Sequence, residues 1–122
     1  MSDINDSILE SVRKLCNADG DEYFNPDLII HINTVFAALT QMGVGPEAGF
    51  QIEDNTTTWS EYTNDDKLYN MVKTYMALKV KLLFDISTAS SYYVDTMQKQ
   101  CDEYEWRLNV YADNYYRKED DP

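Results

Sequence analysis

His31, Cys16 and Cys101 are the residues best suited to nucleophilic, acid–base or soft-metal chemistry, and their spacing assembles no site. His31 lies three residues after Leu28 inside a helical pattern. It is the only histidine, and without a second His or a well-placed Cys it has no metal set and no Ser/His/Asp order around it. A structural or surface role is expected. Cys16 and Cys101 form no CxxC pair and fall on apolar stripes, where a free Cys packs as a small hydrophobe. Asn17-Ala18-Asp19-Gly20-Asp21-Glu22 has the composition of a calcium loop but not its register. With Gly20 as the turn glycine, the first ligand would be Leu15 and the last Pro26, and neither can serve. A solvated acidic turn is expected. Gly43-Val44-Gly45-Pro46-Glu47-Ala48 fits the looser dinucleotide fingerprint, with Ala48 in the third glycine position. That motif must follow a strand and open a helix, whereas here it follows a helix, and Glu47 would set a negative charge beside the pyrophosphate. Asn55-Thr56-Thr57 matches the glycosylation triplet, which a cytoplasmic chain does not present to that machinery. Carboxylates are plentiful, yet no base, nucleophile or metal set accompanies any pair of them. No enzyme activity, cofactor or metal is expected.

The elements that carry these residues are read from apolar spacing. A first helix is predicted over about 4–17, with Ile4, Ile8, Leu9, Val12, Leu15 and Cys16 on one face. Asn25-Pro26 opens a second helix: Asn caps well, and Pro suits the first position because its missing N–H had no partner there. Leu28, Ile29, Ile32, Val35, Phe36, Leu39 and Met42 form its buried stripe, and Gly43 stops it in the C′ position. Residues 43–58 form a loop or short extended arm in which Phe50 and Ile52 alternate with polar neighbours. Thr58 to Glu61 has capping-box spacing, so a short helical turn containing Trp59 follows. The next helix covers about 66–84, with Leu68, Val72, Tyr75, Leu78 and Leu82 in one stripe and Met71, Met76, Val80 and Leu83 widening it. Such a helix is covered on more than one side. After the Ser/Thr-rich break at 87–91, a last helix over about 91–116 carries a heptad-like seam of Val94, Met97, Cys101, Tyr104, Leu108, Tyr111 and Tyr115. It would reach roughly 39 Å. The expected fold class is all-α: a small bundle of four to five helices in a single domain, 1–116, followed by a disordered acidic tail, 117–122. Leu28, Ile32, Val35, Phe36 and Leu39 should be buried against Leu68, Val72 and Tyr75.

Charge bounds the function further. The chain has 122 residues and a net charge of −12, which argues against a stand-alone nucleic-acid binder. Residues 67–84 carry Lys67, Lys73, Lys79 and Lys81 and no acid, so one basic segment sits in an acidic chain. These four lysines are candidates for one side of a subunit interface, meeting an acidic face of a neighbour. The first residues have neither a basic nor an apolar leader region, so no signal peptide is expected. No apolar run approaches the ~20 residues of a membrane span. Unpaired cysteines fit a reducing cytoplasm. Ten tyrosines and two tryptophans divide between core and interface roles.

Phe24-Asn25-Pro26-Asp27, His31-Ile32-Asn33 and Leu39-Thr40-Gln41-Met42-Gly43-Val44-Gly45 resemble the opening of phage head–tail connector proteins, also called head-completion adaptors. Trp59 sits where those proteins often have a tryptophan. The run from Val72 to Asp85 resembles their central helix, and Glu105-Trp106-Arg107-Leu108 the end of their last helix. The resemblance covers about residues 5–110, with a departure at Ile86-Ser87-Thr88-Ala89, where similar proteins often have prolines. It implies an all-helical structural subunit of the virion neck, assembled in the host cytoplasm. Such subunits form a ring under the portal at the capsid vertex, extend the DNA channel and offer a platform to the stopper or tail-completion protein. DNA would pass without specific binding along an acidic wall that repels it. The implied partners are further copies of the chain, the portal protein and the stopper. Trp106, Leu108, Tyr111, Tyr115 and Tyr116 on the last helix are the candidate portal-docking residues. A chain cut near Glu105 is then expected to stay folded and to lose portal binding. The alternative is an acidic helical binding module, such as a DNA-mimic inhibitor, with acids in two duplex-like rows.

Overall fold

The second helix illustrates how local sequence sets an element's limits. It runs from Asn25 to Gln41 and ends in a Schellman motif. The Val44 amide donates to the Leu39 carbonyl at 2.9 Å and the Gly43 amide to the Thr40 carbonyl at 3.0 Å. Gly43 takes φ +84°, a conformation that costs glycine little and other residues considerably more. Val44 and Leu39 are both buried, giving the apolar contact that accompanies this cap.

The computed structural model describes residues 4–15, 25–85 and 91–120, and the side chains of these except at 84–85 and 114–120. Five helices follow in order: α1 (Ile8–Leu15), α2 (Asn25–Gln41), α3 (Trp59–Tyr62), α4 (Asp66–Asp85) and α5 (Ser91–Asp120). The chain is all-α, and among the described residues the β-structure is one isolated bridge between Ser7 and Thr58. α4 packs against α1, α2 and α5, so it is covered on several sides, as its broad apolar stripe predicts. The expected contact set of Leu28, Ile32, Val35, Phe36, Leu39, Leu68, Val72 and Tyr75 is buried throughout. One hydrophobic cluster draws residues from all five helices. Cys16, the acidic turn at 17–22, and most of the Ser/Thr break, at 86–90, lie outside the described residues.

Three expectations are corrected. α1 begins at Ile8 rather than about residue 4. Ser7 is its cap, accepting the Glu10 amide at 3.2 Å. Residues 4–7 instead serve α3: Ile4 accepts the Ser60 amide at 2.7 Å and Asp6 the Trp59 amide at 3.2 Å. Leu15, expected on the buried face, is 47% exposed. α5 continues to Asp120, past the expected limit of about 116. Neither Gly nor Pro occurs between Ser91 and Asp120 to stop it.

The extended arm meets a strand-like partner only at its end, where Thr58 bridges to Ser7, and acquires a substitute at Ile52. The Asn33 side-chain amide donates to the Ile52 carbonyl at 2.9 Å, and its oxygen accepts the Ile52 N–H at 2.8 Å. This pair imitates one rung of an antiparallel ladder and pins Ile52, which is 2% exposed, into the core. At α3 the Glu61 carboxylate accepts the Thr58 amide at 2.7 Å, the reciprocal half of a capping box.

Candidate assembly surfaces

The residues tested for chemistry do not converge. His31 is half-buried on α2. Cys101 is a free, fully buried thiol; burial raises its pKa, and Glu105 and Asp102 add to the rise against an opposing pull from Lys79. Among the described residues no three of His, Cys, Asp and Glu gather in a metal-holding group. No described helix is long and apolar enough to cross a membrane.

The four lysines of α4 do not share one face. At roughly 100° per residue, positions 67, 73, 79 and 81 spread around the helix. Lys67 is exposed and the other three are half-buried. Lys73 lies over the Tyr69 ring, with Nζ 4.9 Å from its centroid and 3.4 Å from the hydroxyl. Lys79 is close enough to Cys101 to bias its thiol. These stems cover the chain's own apolar surface while the amine ends remain near water.

α5 has two distinct sides. The seam residues Met97, Cys101, Leu108 and Ala112 are buried, and Val94, Tyr104 and Tyr111 pack partly against the same core. Two tyrosines tie this side down: Tyr75 on α4 donates to Glu105 at 3.1 Å, and Tyr111 donates to Asp65 at 2.6 Å. Asp65 also caps α4 by accepting the Lys67 amide at 3.0 Å. Its pKa is lowered chiefly by the Tyr111 hydrogen bond, with backbone amides contributing against a small cost of burial. The opposite side presents Trp106, 67% exposed, and Val110, 37% exposed. Of the candidate docking residues, Trp106 is therefore on the open side, Leu108 is inside the core and Tyr111 is clasped to Asp65. The side chains of Tyr115 and Tyr116 are outside the described set. A cut near Glu105 removes Leu108 and Ala112 from the core, so it tests folding as much as docking.

Sequence reasoning missed two polar features. Arg13 is 5% exposed; it pairs with Glu10 and donates to the Asn25 side chain at 2.9 Å, tying the end of α1 to the start of α2. An arginine beside Lys14 reads as surface charge, and the amphipathic pattern carries no sign of its burial. A cleft of about 340 Å³ lies between Gly43, Gly45 and Pro46 on one side and Tyr62, Asp65, Leu68 and Tyr111 on the other. Tyr62 is 5% exposed and its hydroxyl has no hydrogen-bond partner among the described residues; burial, then Tyr111, raise its pKa. It packs so close to Gly45, which has φ +85°, that a Cβ there would lie 2.5 Å from the hydroxyl oxygen.

These features define a small all-helical protein with apolar and aromatic residues left open on one long helix. The sequence model of the phage connector protein family matches residues 8–115, and the chain belongs to that family. It is a family of structural proteins rather than enzymes. No curated protein and no solved structure matches the chain.

Proposed function

We propose that the chain is a head–tail connector subunit that forms a ring beneath the portal, extends the DNA channel and receives the stopper or tail-completion protein. The observation that carries this reading is the family match over residues 8–115, joined to a helix whose outer side exposes Trp106 and Val110. Ring closure requires heterologous contacts, in which one surface of a subunit meets a different surface of the next. The lysines of α4 set register and encounter rate against a neighbour's acids; Lys67, the exposed one, contributes most. The C-terminal end of α5, with Tyr115 and Tyr116, docks into a groove of the portal. An acidic channel wall lets DNA slide without specific contacts, and assembly takes place in the host cytoplasm.

The test is particle mass with and without the portal ring of the same phage. A ring-sized increment on the portal is expected. A compact monomer under both conditions overturns the reading and favours the acidic DNA-mimic alternative. Truncation after Asp113 probes docking while keeping the buried Met97, Cys101, Leu108 and Ala112: the variant should keep its folding transition and lose portal binding, and unchanged affinity would place the docking surface elsewhere.

A further inference from the structure

Charge is distributed unevenly over the helices in a way that marks one more surface. Residues 28–46 contain no Asp, Glu, Lys or Arg, and neither do residues 48–52, in a chain with 32 charged residues out of 122. The core accounts for only part of this. Ile30, Thr34, Ala37 and Gln41 follow at helical spacing and are exposed, and Ile30 is 62% exposed. Beside them runs a shallow groove of about 700 Å³, lined by Asn33, Ala37, Thr40, Gln41, Gly49 and Phe50 among others, all uncharged. The outer sides of α4 and α5 differ: they carry Asp66 and Lys67, and Asp95, Lys99, Asp102 and Glu103, all exposed.

We propose that this charge-free face of α2, with the groove at residues 48–51, seats a second copy of this chain, entered by Trp106 and Val110 on the outer side of that copy's α5. The inference rests on the ring reading above and specifies one of its contacts. The occupant follows from electrostatics and from where apolar surface is left open. Two chains of net charge −12 repel at close range, and like charges set opposite each other across an interface disfavour association. Approach is favourable where one partner offers no charge, and α2 from Ile30 to Gln41 offers that surface, with the exposed Asp27 and Glu47 at its rim. Among the large hydrophobics exposed on the described residues, Trp106 and Val110 stand one turn apart on α5, and Ile30 stands on α2. A charge-depleted centre with an inserted aromatic is the usual composition of an interface core. Ala37 and Gly49 keep the groove open for an indole.

Direction also fits. α4 packs against both α2 and α5, so donor and acceptor surfaces lie on different flanks of one subunit and the contact is heterologous, able to repeat around a ring. Trp106 lies about 15 Å along the helix from Tyr116, so one helix can serve a neighbour at its middle and the portal at its end.

The experiment uses the full chain in sedimentation over a concentration series, alone and with the portal ring. Ala37→Glu blocks the seat and Trp106→Glu blocks the insert; both positions are exposed, and an unchanged thermal transition verifies folding. Gln41→Glu and Val110→Glu form a second pair should either first variant misfold. Each single variant should weaken self-association by about tenfold or more. An equimolar mixture of Ala37→Glu and Trp106→Glu should form a dimer and stop there, because one good seat and one good insert remain. If both variants assemble like the parent, this contact is wrong while the ring reading stands. If the parent stays monomeric both alone and on the portal, both fall.

Discussion

Around Phe36, rings meet in fixed geometry. Phe36 and Phe50 are edge-to-face at 5.0 Å, Phe50 and Tyr62 at 5.2 Å, and Phe36 and Tyr62 lie 4.9 Å apart; Trp59 meets Tyr69 edge-on at 5.7 Å. Along α5 the attachment is of another kind, a single stripe of Met97, Cys101, Leu108 and Ala112 supplemented by the two tyrosine-to-carboxylate hydrogen bonds. The first region encloses Phe36 and Trp59 on all sides and leaves only Phe50 partly open. The second spends one side on the core and leaves the other for partners. A small structural subunit can thus be rigid at one end and adhesive along its longest helix, with Phe50 the residue that belongs to both, packing on Phe36 and lining the groove beside α2.

The comparison breaks first at Trp59. It is 0% exposed, and Trp59→Ala should cost about 3–5 kcal/mol in urea unfolding; a cost below ~1 kcal/mol would show that the ring cluster is dispensable. Next is Leu108→Ala, where a fully buried leucine should cost about 2–5 kcal/mol. A value near zero would make α5 an arm loosely laid on the core. Gly45→Ala must hold φ +85° and displace the Tyr62 ring. A loss of about 1–3 kcal/mol is expected, measured by thermal unfolding.

Tyr111→Phe removes one hydrogen bond to a carboxylate and should cost about 0.5–1.5 kcal/mol near neutral pH. The sign of its pH dependence follows from Asp65. The folded carboxyl is held below its ordinary value of 3.8, so its contribution is present above that value and is lost as pH falls through the lower folded one. The gap between parent and variant should close in that acid range, and a gap that widens there would contradict the clasp. The smallest effect is kinetic: Cys101, buried with a raised pKa, should react with a thiol reagent only as fast as the protein opens.

Periodicity made α2, α4 and the seam of α5 legible, because their buried positions recur at helical spacing and their ends carry local signals such as Asn25-Pro26 and Gly43. It failed where the partner is remote in sequence. Ile4 looks helical next to Ile8, and only the amides of Ser60 and Trp59, bonded to the Ile4 and Asp6 carbonyls, explain why residues 4–7 stay outside α1. Arg13 looks solvated until Asn25 is placed against it. Asn33 gives no hint that it will stand in for a strand. The assembly surfaces were half legible. The aromatic richness of α5 was evident, but its division into Leu108 inside and Trp106 outside depends on which side α4 covers. The lysines, close in sequence, disperse around α4 because their intervals do not match the helical turn.

α3 has four residues, too few to repay the cost of nucleating a helix by itself. Two of its first amides are satisfied by carbonyls of Ile4 and Asp6, about fifty residues upstream, so the turn that places Trp59 and Tyr62 cannot close before the two ends of that long loop have met. Trp59 fluorescence should therefore report a late event in folding, after α2 and α4 have paired, and removal of the first seven residues should slow that signal while leaving the helical signal of the longer elements early and fast.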